Sequence, residues 1–87
     1  MVTLRCVATA EDPQSKAFET VDIIERSFND GDAVTTSMLD RIVRMTKRNL
    51  VENQSLHHRS ALITVTKVGS DEPVCKRSWV IPTVYRG

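Results

Sequence analysis

The first ten residues constrain the chain most. Val2, Leu4, Cys6 and Ala8 alternate with Thr3, Arg5, Val7 and Thr9, and such period-2 spacing gathers its apolar members on one face only in an extended strand. That strand needs neighbours for its backbone and cover for its apolar face. Two later segments offer the neighbours. Ala61 to Val68 is β-branched and alternating, Gly69-Ser70-Asp71-Glu72-Pro73 has turn composition, and Val74 to Ile81 reads as a further strand. Pro82 donates no ladder hydrogen bond, which places this last strand at a sheet edge or ends it there.

The cover is expected from two helices. Glu11-Asp12-Pro13 has the form of a helix start, with Asp12 as N-cap and Pro13 at the first helical position. At 100° per residue Ala17, Phe18, Val21, Ile24 and Phe28 share one face, Glu19, Asp22 and Arg26 lie opposite, and Ile23 falls off the stripe as an exposed residue. Gly31, after Asn29-Asp30, suits the left-handed position that closes a helix. The second helix is expected from Thr36 or Ser37 to about residue 52, with Ser37-x-x-Asp40 as its capping pair. Its apolar side holds Met38, Leu39, Ile42, Val43, Met45 and Leu50, and its outer side Arg41, Arg44, Lys47, Arg48 and Glu52. Asn49 interrupts the apolar arc, so it is either buried with partners or the helix frays there. Residues 53–60 read as a connection. The expected fold class is α+β in β-α-α-β-β order: a small three-stranded sheet with two helices packed on one face. Thr3, Arg5, Thr64, Thr66, Lys76 and Arg77 mark the other face as largely solvated.

With 87 residues, 40% apolar, 26% charged and three glycines and three prolines, the chain reads as one domain over residues 1–87, neither disordered nor collagen-like. A chain of this size buries roughly 60–65% of its unfolded surface, which leaves little room for a deep pocket. Its apolar runs fall far short of a membrane span, and Arg5 breaks the only candidate for a secretory leader. The expected setting is therefore cytoplasmic, with Cys6 and Cys75 as reduced thiols rather than a disulfide scaffold. Asn53-Gln54-Ser55 matches a glycosylation acceptor, which matters only in a secreted chain.

Charge carries more information than any motif. Residues 10–40 hold eight acids against two bases, and residues 41–59 hold five bases against one acid. A net charge of +1 thus hides a dipolar chain able to steer a charged partner onto one face. The competing explanation is ordinary surface pairing, with Asp40–Arg44 and Arg48–Glu52 at i,i+4. Metal and enzymatic chemistry find no support in spacing. His57 and His58 are adjacent, so on an extended segment they point apart, and no pair of ligand residues has zinc-site spacing. The glycines stand singly, so there is no phosphate loop, and no nucleophile elbow appears.

The expectation is a non-enzymatic small binding protein, an adaptor, regulator or inhibitor, with no cofactor. Its partner is expected to be another protein with an acidic surface, or a second copy in a homodimer, and no membrane. The residues expected to make the contact are Arg41, Arg44, Lys47 and Arg48 on the second helix, with Trp79 and Tyr85 beside Pro82. Trp79 shares a strand face with Cys75, Arg77 and Ile81, so burial in the core competes with that use. The alternative is a nucleic-acid-binding module in which helix, helix and hairpin form a winged-helix-like unit. Against it stand the acidic turn Asp71-Glu72, the acidic first helix and a pI near 7.8.

Overall fold

A computed structural model describes residues 1–29 and 31–83. Its elements are β1 (Val2–Glu11), β2 (Phe18–Phe28), α1 (Thr36–Glu52), β3 (Ser60–Lys67) and β4 (Pro73–Val80), with a 3-10 turn at Gln54–Leu56. The strands form one antiparallel sheet in the order β2-β1-β3-β4, and α1 packs on one of its faces. The class is α+β, as expected. Among the described residues, however, four strands and one long helix replace the expected three strands and two helices. The last strand does lie at an edge, with Pro73 as its first residue.

The difference lies in residues 13–28. The Asp12 carboxylate behaves as a cap, accepting from the N–H groups of Gln14 at 2.8 Å and Ser15 at 3.2 Å. These two donors hold its carboxyl below the usual carboxylate value. Yet the turn does not propagate. Lys16 takes a positive φ of 65°, which breaks a right-handed turn, and the Asp12 N–H donates to the Ala17 carbonyl at 2.8 Å, folding the chain back as a hairpin. Thr20, Val21, Ile23 and Ile24 then favour extended backbone. Between the pairs Ala8–Asp22 and Thr9–Thr20 the strand carries one extra residue, Val21. That bulge shifts the alternation by one position, so a strand acquires apolar spacing that imitates a helix. Gly31, at φ 116°, serves the link from β2 to α1 instead of closing a helix. Among the described residues, the helix pair on which the winged-helix-like arrangement was built does not form.

The helix read over 37–52 is present with a different cap. Thr35 Oγ1 accepts from the Met38 N–H at 3.2 Å, two residues before the expected Ser37 pair begins. Met38, Ile42, Val43 and Leu50 bury against Val2, Leu4, Cys6 and Ala8 of β1 and Ile63 and Val65 of β3. Ala10, Ala61, Phe28, Leu56 and Ile81 complete the core. Thr46 is buried on the same stripe, its hydroxyl 3.1 Å from the Ile42 carbonyl and 3.0 Å from Cys6 Sγ. Asn49 is neither buried nor at a frayed end. It sits at the rim, where its side-chain amide donates to Asp22 at 3.2 Å. Asn53 caps the 3-10 turn, accepting from the Ser55 N–H and hydroxyl, which gives the Asn-x-Ser spacing a structural use.

Both cysteines are free. They flank Val65 from strands on either side of β3, roughly 10 Å apart, beyond disulfide reach. Burial pushes the Cys6 thiol up from its ordinary value. Among the described residues no helix is long and apolar enough to cross a membrane.

Two isoleucines test this architecture. Ile42 is fully buried, whereas Ile23 lies on the uncovered sheet face. Ile42→Ala should cost about 2–5 kcal/mol in urea denaturation. Ile23→Ala should stay within about 0.5 kcal/mol in the monomer. Similar costs at the two positions would contradict the one-sided core.

Candidate functional site

The outer side of α1 presents the expected basic residues, and the sheet holds two of them in place. Arg41 sits over the Phe28 ring of β2, 5.4 Å from its centroid. Lys47 sits over the Trp79 ring of β4, 5.1 Å from its centroid. Each stacking contact contributes about 0.5–1 kcal/mol at an exposed site. Arg44 and Arg48 stay exposed between these two flanks, while Lys47 is half-buried. The ordinary surface pairs do not form. Asp40 turns to Arg77 Nη2 on β4, at 3.3 Å, and is not paired with Arg44. Among the described residues, no ion pair reaches Arg41, Arg44, Lys47 or Arg48.

Arg77 is the residue the sequence reading misplaced. It pairs across the sheet with the buried Ile63, so it rises on the helix side rather than the solvated face. Alternation carried the signal, because Arg77 shares its face with Cys75 and Trp79. Hydrogen bonds to Cys75 and Asp40 hold its guanidinium above the ordinary arginine value.

The result is a groove of about 210 Å³ between α1 and β4, lined by Asp40, Val43, Arg44, Lys47 and Arg77. Its rim carries three cations against one carboxylate, already engaged, and Val43 supplies an apolar contact. Such a rim suits a carboxylate side chain, since a guanidinium presents forked donors and an ammonium a point charge. No nucleophile and base meet there. Of the expected contact residues, the structure brings Arg44 and Lys47 together at the groove and Lys47 onto Trp79, places Arg41 on the opposite flank over Phe28 and leaves Arg48 exposed. Tyr85 lies outside the described residues. Trp79 combines both of its readings, packing against the core while stacking with Lys47.

The histidines have local partners. His57 Nε2 lies 2.7 Å from the Val51 carbonyl, and His58 Nε2 lies 2.7 Å from Thr83 Oγ1. Among the described residues, no three His, Cys, Asp or Glu side chains are placed to hold a metal ion.

No known protein family matches this chain, and no curated protein or solved structure matches it either. The fold and groove define a helix-on-sheet module with a cation-rimmed cleft.

The Asp40–Arg77 pair is partly exposed on both sides, so it should contribute no more than about 1 kcal/mol. Asp40→Asn should therefore barely move the urea midpoint while making the groove more positive. A loss of several kcal/mol would mean the pair is structural and the groove incidental.

Proposed function

We propose that this protein is a small non-enzymatic binding module, an adaptor, regulator or inhibitor, that engages an acidic surface of another protein through α1. The observation that carries the reading is the absence of in-chain ion pairs on Arg41, Arg44, Lys47 and Arg48 among the described residues. An exposed helix normally satisfies part of its charge along its own face. Here both acids that sequence spacing offers to the arginines leave them unpaired. Lys47 and Arg41 are stacked on aromatic rings, so less side-chain freedom is lost when a partner docks. Arg41 and Arg48 are seven residues apart, roughly 10 Å along the axis. That length matches carboxylates repeating every turn of an acidic helix. Against the alternative partner, nucleic acid, stands the acidic Asp71-Glu72 turn between β3 and β4, which repels phosphate.

Trp79, the only tryptophan, reports on the groove because Lys47 lies over it. Titration with a glutamate-rich helical peptide should change its emission saturably. The Arg44→Gln/Arg48→Gln variant should melt like the parent and bind about tenfold to thirtyfold more weakly. Tighter binding of a short DNA duplex, with a steep loss of affinity as salt rises, would overturn this reading in favour of a nucleic-acid module.

A further inference from the structure

We propose that the two edges of the sheet are complementary surfaces, and that the protein associates head to tail with further copies of itself, β4 of one copy against β2 of the next. This goes beyond the reading above and does not use the outer stripe of α1.

Charge is the first observation. β2 carries Glu19, Asp22 and Glu25 against Arg26, whereas β4 carries Lys76 and Arg77 and no acid. Pairing two β2 edges gathers carboxylates, and pairing two β4 edges gathers cations; like charges opposed across strands are destabilising. Glu25 and Glu19 are already engaged by Arg5 and Arg59 of the same chain. The edge charges that discriminate are therefore Asp22 on β2 and Lys76 and Arg77 on β4, and only the mixed pairing brings these unlike charges together. Strand direction permits it. Because each neighbouring pair in β2-β1-β3-β4 is antiparallel, β2 and β4 run in opposite directions. A second copy in the same orientation therefore continues the sheet as antiparallel, with its helix on the same side.

Register is the second observation. The cross-strand pairs define rows across the sheet, and each row can be followed from edge to edge. One row runs Asp22–Ala8–Ile63–Arg77, and the next runs Ile23–Val7–Thr64–Lys76. At the end of the sheet, Phe18 pairs with Glu11 and Ser60 pairs with Val80, in adjoining positions of one row. Continuing every row into the next copy, with no shear, sets Asp22 beside Arg77 on the helix side. It also sets Phe18 beside Val80 on the uncovered side. Phe18, Ile23 and Val80 are 52%, 59% and 61% exposed; this register sets Phe18 against Val80, and Ile23 against the aliphatic stem of Lys76. Asn49 and Asp40 of α1 each take up one atom of this pair, Asp22 Oδ2 and Arg77 Nη2, which leaves the second carboxylate oxygen and the remaining guanidinium donors for the junction. Backbone pairing along β4 supplies affinity, as in strand addition generally. A head-to-tail contact leaves one unused edge at each end, so growth continues until a ring closes or a chain extends.

Analytical ultracentrifugation of the full chain across a concentration series tests the proposal. The protein should populate species larger than a dimer, and added salt should weaken them. Asp22→Arg and Arg77→Glu, each confirmed as folded by circular dichroism, should separately weaken association by about tenfold or more. Mixing the two variants should restore it, because each junction then opposes unlike charges. Should either charge variant fail to fold, Val80→Asp places a carboxylate against the Phe18 ring and the acidic β2 edge and should weaken association similarly. A protein that stays monomeric at its highest soluble concentration would overturn the proposal, with the edge charges acting only to prevent pairing. So would a closed dimer that these variants leave intact. Neither result bears on the binding of an acidic peptide to α1.

Discussion

A single helix has to cover a sheet of four strands. With 17 residues, α1 is roughly 25 Å long and about 10 Å across, whereas four strands span about 15–20 Å. The helix therefore seals the centre. On β1, Val2, Leu4, Cys6, Ala8 and Ala10 are buried, and on β3, Ala61, Ile63 and Val65. At the margins β2 buries only Phe28, and β4 buries none of its residues. The Cα trace is accordingly a slab, 41 × 33 × 15 Å. Its depth is that of one sheet and one helix layer.

The distribution of charge follows from that shortage of cover. Long polar side chains cross between the sheet margins and the helix flanks, from both sides, and keep their heads wet. Arg77 meets Asp40, Asp22 meets Asn49, Lys47 lies on Trp79 and Arg41 on Phe28. These contacts tie α1 to both edge strands without burying a charge deeply. They also sort the charges, with acids on the β2 margin and bases along α1 and β4. The dipolar character of the chain thus becomes a dipolar slab, able to present different chemistry at each margin.

β1, α1, β3 and β4 were legible in the sequence because each keeps one period over most of its length, two for the strands and 3.6 for the helix, the extra residue Val74 falling at the very start of β4. β2 was not, for two local reasons. Asp12 makes the same side-chain hydrogen bonds in a hairpin turn as at a helix start. The extra residue at Val21 then breaks the alternation on which strand recognition depends. The site was half legible. Helical spacing alone puts Arg41, Arg44 and Arg48 on the outside. The choice of Arg77 over Arg44 as the partner of Asp40, and the seat of Lys47 on Trp79, depend on contacts more than 30 residues apart in sequence. No local pattern encodes those.

The account stands on residues 18–28 being an edge strand, since the one-sided core, the acidic margin and the head-to-tail junction all require it. Nuclear Overhauser contacts between backbone protons test this most directly. The structure predicts cross-strand contacts joining Cys6 to Ile24 and Leu4 to Arg26, with strong sequential Hα–HN contacts along β2. A run of strong HN–HN contacts through residues 18–28, with no cross-strand contact to β1, would show a helix there and contradict the account.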